Sequence, residues 1–218
     1  QLNVKFRSND LLSDYDFSRI NIEAINKTKL GKFDLRTRLF GQWGSGSDMP
    51  FESSLMLAGA NTEELLDNKY TRSRGFFPDE WVDFGETTGH FHAGGGLNLR
   101  GYAGYLVADT SAEEGSINAY SGMSGVAANV ELQFNRLFKF QLIKFIKMEP
   151  YLFADAGIIS TDDRFDRVAD LRVDAGIGTA FTWSWFGPLE TVKPITLRVD
   201  FPLFLNRTPY EDGEFLQF

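Results

Sequence analysis

A strict two-residue alternation, sustained over runs longer than an ordinary strand, limits this chain more than any other feature. In "KFDLRTRLFGQWG", Phe33, Leu35, Thr37, Leu39, Gly41 and Trp43 fall on one side, and Asp34, Arg36, Arg38, Phe40 and Gln42 on the other. "VAANVELQFN" sets Val126, Ala128, Val130, Leu132 and Phe134 against Ala127, Asn129, Glu131, Gln133 and Asn135. "LRVDAGIGTAFTW" opposes Leu171, Val173, Ala175, Ile177, Thr179, Phe181 and Trp183 to Arg172, Asp174, Gly176, Gly178, Ala180 and Thr182. In "ITLRVDFPLFLN", Ile195, Leu197, Val199, Phe201, Leu203 and Leu205 oppose Thr196, Arg198, Asp200, Pro202, Phe204 and Asn206.

A period of two predicts β-strands, and runs of ten to thirteen residues exceed the usual five or six of soluble domains. One face carries full charges while the other is continuously apolar. A soluble sandwich shows the same alternation with its apolar face inward. Strand length, aromatic ends at Trp43, Trp183 and Trp185, and acidic, glycine-bearing loops favour a transmembrane barrel with interfacial aromatic girdles.

Composition agrees with an all-β chain of this kind. The 218 residues include 21 Gly and carry a formal net charge of -8, and the densest basic run is "KFQLIKFIK". Phosphate recognition needs clustered positive charge, so a nucleic-acid partner has little support. The absence of cysteine excludes disulfides and thiolate metal sites, and it suits passage through an oxidising compartment. No run of about 18 apolar residues is present, which excludes a membrane helix. A barrel strand needs only about 9 to 11 alternating residues, a pattern consistent with the mean hydropathy of -0.23. A charged and apolar leader is missing at Gln1, so a signal peptide is expected to lie upstream or to have been removed.

Strands are predicted near 2–7, 16–29, 32–44, 51–59, 88–99, 123–135, 148–159, 169–185 and 193–206, with a last one from 214. The segments 60–87, 103–122 and 160–168 read as long loops. "TKLG", "NRLFKFQLIKFIKM" and "FGPLETVKP" read as turns at the opposite end. No repeat or internal domain boundary is evident.

The ordered pieces "GGGLNLRGY", "NVELQF", "YLFADAG" and "DAGIGTAF...FGPL...ITLRVDFPL", preceded by "LRTRLFGQWGSGSDMPFE", resemble the C-terminal barrel of the BamA, TamA and FhaC superfamily, the bacterial surface antigen family. The resemblance implies an inward-folded loop, here about 96–122, whose tip is Leu99, Arg100, Gly101 and Tyr102. It further implies that Arg100 pairs with wall carboxylates, carried onto Glu131 and Asp155. Strand parity is compatible: Glu131 lies on the polar face, and grouping Asp155 with Tyr151, Phe153 and Gly157 leaves Leu152, Ala154, Ala156 and Ile158 for lipid. The planar guanidinium can donate to two carboxylates at once, and a flanking glycine lets the backbone deliver it.

Other candidates are weaker. His90 and His92 share one strand face and could ligate a metal, but the sequence indicates no third ligand, so wall residues are the better reading. Asp162, Asp163 and Asp166 lack a calcium-loop pattern and read as a hydrated loop. Ser45, Ser47 and Asp48 do not form a nucleophile elbow. The run "LFKFQLIKFIK" fits either a membrane-interface turn or strand ends.

The resulting expectation is a single all-β unit over 1–218, supplying about nine or ten strands of a sixteen-stranded antiparallel barrel in the bacterial outer membrane. Its C-terminal "GEFLQF" resembles the start of the family's closing strand. The family implies a non-enzymatic machine that inserts or translocates polypeptides. Its expected partners are outer-membrane lipid, the remaining strands, a periplasmic or fused N-terminal domain, and client polypeptides; no cofactor or metal is implied. The alternative is a barrel that anchors or exports a fused patatin-like lipase or metallopeptidase.

Overall fold

A computed structural model describes residues 2–7, 14–61, 63–64, 95–102, 108–109, 117–118, 121–134, 136–137, 140–143, 146–162, 168, 170–183 and 195–207. Their strands are β1 (Leu2–Arg7), β2 (Asp16–Leu30), β3 (Phe33–Asp48), β4 (Leu55–Met56), β5 (Ala108–Asp109), β6 (Ile117–Asn118), β7 (Ser121–Gly122), β8 (Ser124–Gln133), β9 (Phe140–Ile143), β10 (Ile146–Ser160), β11 (Arg172–Trp183) and β12 (Ile195–Leu205). The long strands form one antiparallel sheet in the order β1-β2-β3-β8-β10-β11-β12, with β9 paired to the start of β10. Among the described residues the sheet is open, with β1 and β12 at its edges. Short pairs β4-β7 and β5-β6 stand apart from it.

Local chemistry explains the frame. Leu30 and Phe33 are register partners across a two-residue turn, and Gly31 takes the left-handed conformation (φ 61°) that such a turn requires. Strands β3 and β8 are neighbours although residues 49–123 separate them. Of the described parts of that insertion, 51–61 and 95–102 are largely buried. The Leu97 amide donates to the Met56 carbonyl and the Leu99 amide to that of Leu57, each at 3.1 Å. Leu55, Leu57, Ala58, Leu97, Leu99 and Tyr102 then form one cluster with the wall residues Phe40, Ala127 and Ile159.

The sheet is inverted relative to a soluble domain. Alternation sends Leu39 (61% exposed), Val126, Leu152, Ile177, Leu197 and Phe201 outward. It turns Gln42, Asn129, Glu131, Asp155, Arg172 and Asp174 into the buried interior. A sandwich would bury the apolar side instead.

Several expected elements differ. The segment 51–59 is a 3-10 turn (Phe51–Ser53) and the two-residue β4, not a long strand. Its "LMLAGA" is apolar without alternation, so it has no wet face and packs entirely against the inner wall. Residues 95–99, expected to end a strand, are turn and coil; 88–94 lie outside the described residues. The turn "NRLFKFQLIKFIKM" contains β9, whose Phe140 and Gln141 pair with Met148 and Lys147. The turn expected over 28–31 falls at residues 31 and 32 instead. On β12, a register shift opposite Ala175 and Gly176 leaves Leu203 outside the ladder. It reverses the expected parity, so Phe204 pairs with outward Ala175 and Leu205 turns inward to pack on the core cluster. Pro202, which cannot donate to a ladder, sits beside this bulge.

Candidate functional site

The inserted segment carries its charge on a left-handed bend. Gly96 and Asn98 adopt φ of 51° and 57°, turning the chain so that Leu97 and Leu99 point into the wall. The wall is small where they land: a Cβ on Gly157 would come within 2.9 Å of Leu99 Cδ1, and one on Gly125 within 3.3 Å of Leu97 Cδ2. The chain then closes into a short 3-10 turn, Arg100–Tyr102. Gly101 lies so close to β11 that a Cβ would sit 2.6 Å from the Asp174 Cβ. The Tyr102 hydroxyl donates to Asn206 Oδ1 at 2.9 Å, beyond the end of β12.

Arg100, only 6% exposed, meets its carboxylates through several donors. Its Nε donates to Asp155 Oδ2 at 2.7 Å and Nη2 to Asp155 Oδ1 at 2.8 Å. Its backbone amide reaches Asp155 Oδ2 at 3.2 Å, and Nη1 donates to Glu131 Oε1 at 2.9 Å. The guanidinium lies over the Phe153 ring at 4.1 Å. Burial opposes the Arg100 charge, but the hydrogen bond and charge of Asp155, with Glu131 and Asp200, outweigh it and raise its pKa above the ordinary value. All five residues of the lock suggested by the resemblance therefore come together: Arg100, Glu131 and Asp155 in direct contact, with Gly101 and Tyr102 completing the turn.

The polar network extends beyond them. Glu131 Oε1 also accepts from Arg198 Nη2 at 2.6 Å, and Arg36 Nη1 approaches Oε2 at 3.8 Å. Arg198 Nε donates to the Tyr151 hydroxyl at 3.0 Å, which donates to Asp200 at 2.5 Å. Asn129 donates to Asp155 Oδ1 at 3.1 Å and to the Asn98 carbonyl at 3.1 Å. Arg38 donates to Asn129 Oδ1 at 2.8 Å, to the Gly96 carbonyl at 2.8 Å and to Glu23 at 2.5 Å. Glu131 thus has cations of its own on the wall, whereas the described ion pair of Asp155 comes from the loop. Both Asp155 oxygens accept from guanidinium N–H groups. The arrangement holds a backbone segment in place rather than exposing a basic oxygen to a substrate.

Sequence reasoning placed Arg36, Arg38, Asn129, Arg198 and Asp200 on polar faces without assigning them to the cluster. Their signal was parity, but register was also required. Arg38 and Asn129 are cross-strand partners, as are Arg36 and Glu131, only because β3 pairs with β8 in this alignment. His90, His92, Asp163, Asp166 and Trp185, with the closing-strand motif, lie outside the described residues. Asp162 receives a hydrogen bond from Ser160 Oγ at 3.0 Å. Ser45 and Ser47 are residues of β3. No protein-family model, curated protein or solved structure matches the chain.

Proposed function

We propose that this chain is the C-terminal part of a transmembrane β-barrel of the BamA, TamA and FhaC type, placed in the bacterial outer membrane. There it takes part in inserting or translocating polypeptides. The observation that carries this reading is the Arg100–Asp155–Glu131 clamp on an inverted sheet. A passive pore has no need of an internal segment clamped by desolvated charges, whereas a machine that admits polypeptide needs a part that can be held or released. The outward apolar side chains supply a lipid-facing surface, and the inward charges suit a wet lumen. Among the described residues β1 and β12 are open edges, and such edges cannot persist in hydrocarbon, because their amides and carbonyls would lack partners. Further strands must therefore complete a barrel, sixteen in the family's pattern. A seam at such an edge can template an incoming strand by β-augmentation.

The test is a photoreactive residue on β12, at Thr196, in the full-length protein in cells. Adducts with arrested outer-membrane or secreted polypeptides are expected. The absence of such adducts while the protein is correctly placed in the membrane would refute the transport reading and favour a barrel that only anchors another domain.

A further inference from the structure

Two guanidiniums meet at one carboxylate oxygen beneath the loop tip. Glu131 Oε1 accepts from Arg100 Nη1 at 2.9 Å and from Arg198 Nη2 at 2.6 Å. The shorter bond comes from the wall, not from the loop: Arg198 stands on β12 and reaches across β11 and β10 to Glu131 on β8. The second oxygen of Glu131 does little to relieve the sharing, for its described partners are Gln133 Nε2 at 3.4 Å and Arg36 Nη1 at 3.8 Å. The Arg100 and Glu131 side chains are 4% and 10% exposed, so bulk water does not screen them. Like charges brought to one oxygen repel, and each weakens the hold of the other.

The two arginines are seated alike, two residues apart along β10. Arg100 lies over the Phe153 ring at 4.1 Å and Arg198 over the Tyr151 ring at 4.6 Å. Both rings cover glycines of β11: a Cβ on Gly176 would come 2.8 Å from Phe153 Cζ, and one on Gly178 would come 2.4 Å from the Tyr151 ring. With no side chain beneath it, the Tyr151 hydroxyl extends over β11 to accept from Arg198 Nε at 3.0 Å and to donate to Asp200 Oδ1 at 2.5 Å.

The arginines differ in what carries them. Arg100 leaves Glu131 only when the tip moves, whereas Arg198 is fixed to the sheet. We propose that Arg198 is a competitor built into the wall, which weakens the grip of Arg100 on Glu131 and keeps that carboxylate paired when the tip withdraws. Asp155 is then the carboxylate that governs release. Without Arg198, withdrawal would leave Glu131 facing only Arg36 among the described cations, at 3.8 Å, and the tip would be held more tightly. Arg198 is thus a positioning residue that acts through Glu131. The inference does not rest on the transport reading, because it concerns only the balance between a seated and a withdrawn tip.

Hydrogen exchange on the full-length protein in lipid nanodiscs tests it, comparing peptides over 95–102 with peptides over β10–β11. The amides of Leu97, Leu99 and Arg100 are all hydrogen-bonded in the seated tip, so their exchange reports its withdrawal. A residue that merely props the wall would loosen the tip on removal, whereas removing a competitor tightens it. Arg198→Gln should slow exchange over 95–102 by about fivefold or more, with β10–β11 unchanged, and should have no such effect in a Glu131→Gln background. Arg198→Lys keeps the charge and should exchange faster than Arg198→Gln. Unchanged or faster tip exchange in Arg198→Gln would overturn the inference, as would equal slowing with and without the Glu131 carboxylate. Loss of β10–β11 protection in Arg198→Gln would overturn it as well, since Arg198 would then hold the wall together instead of opposing the loop.

Discussion

Outward along β10 stand Leu152, Ala154, Ala156 and Ile158, with Leu152 and Ala154 exposed; inward, one residue out of phase, Tyr151, Phe153, Asp155 and Gly157 are buried beneath the loop. The same backbone thus presents hydrocarbon to one medium and charge to another. In water this is the wrong way round. The outward face would expose apolar area costing roughly 25 cal/mol per Å², and the inward face buries charges that must be paired to be tolerated. Both are accommodated if lipid covers the outside and a polar plug fills the inside.

The largest break in this contrast comes from the inner face. Arg100→Ala leaves Asp155 without its described ion pair, with a cost on the order of 3 to 5 kcal/mol, measurable by urea unfolding in bilayers. Asp155→Ala should cost more than Glu131→Ala. The first leaves Arg100 its Glu131 and Asp200 contacts, whereas the second retains the two-pronged grip on Asp155. The Arg100→Ala and Asp155→Ala losses should also be strongly non-additive, and full additivity would sink the pairing. On the outer face, Leu152→Lys should cost about 2 to 4 kcal/mol if it meets the bilayer midplane, and no change in the same assay would remove the lipid assignment. Gly101→Ala tests the seat of the turn. The added carbon collides with Asp174 Cβ, so a loss of about 1 to 3 kcal/mol is expected with the strands otherwise intact.

The smallest effect concerns Glu64, outside the strands. Burial, only partly offset by the Asn61 amide and by Arg19 and Arg38, raises its pKa above the ordinary 4.5. Its folded value exceeds its unfolded one, so its protonated form favours folding. That contribution is complete below the unfolded value and is lost as pH rises through the folded one. The stability of the natural chain relative to Glu64→Gln should therefore increase as pH falls, read from unfolding midpoints at matched pH; a flat difference would show that Glu64 is not desolvated.

Much of the sheet was legible because a two-residue period needs no knowledge of neighbours. Each residue from Phe33 to Trp43, or from Tyr151 to Ile158, takes a side by counting. The reading failed where counting was interrupted. Leu203 leaves the ladder and reverses Phe204 and Leu205, a shift visible only when β12 is laid against β11. It failed again at 51–59, where apolar residues serve the interior instead of the outer face. The tip motif identified Arg100, Glu131 and Asp155 through resemblance, yet it said nothing of Arg38, Asn129 or Arg198.

Alternation in the sequence by itself determined that this chain makes long antiparallel strands with one apolar and one charged face, since strand geometry places successive side chains on opposite sides whatever surrounds them. Only the tertiary structure decided which face is buried, that β3 joins β8 across the insertion, and that Arg198 reaches Glu131 while Arg100 reaches Asp155. Those outcomes depend on register and on long-range closure of the loop, and an ion pair carries no mark in the sequence of the partner that will neutralise it.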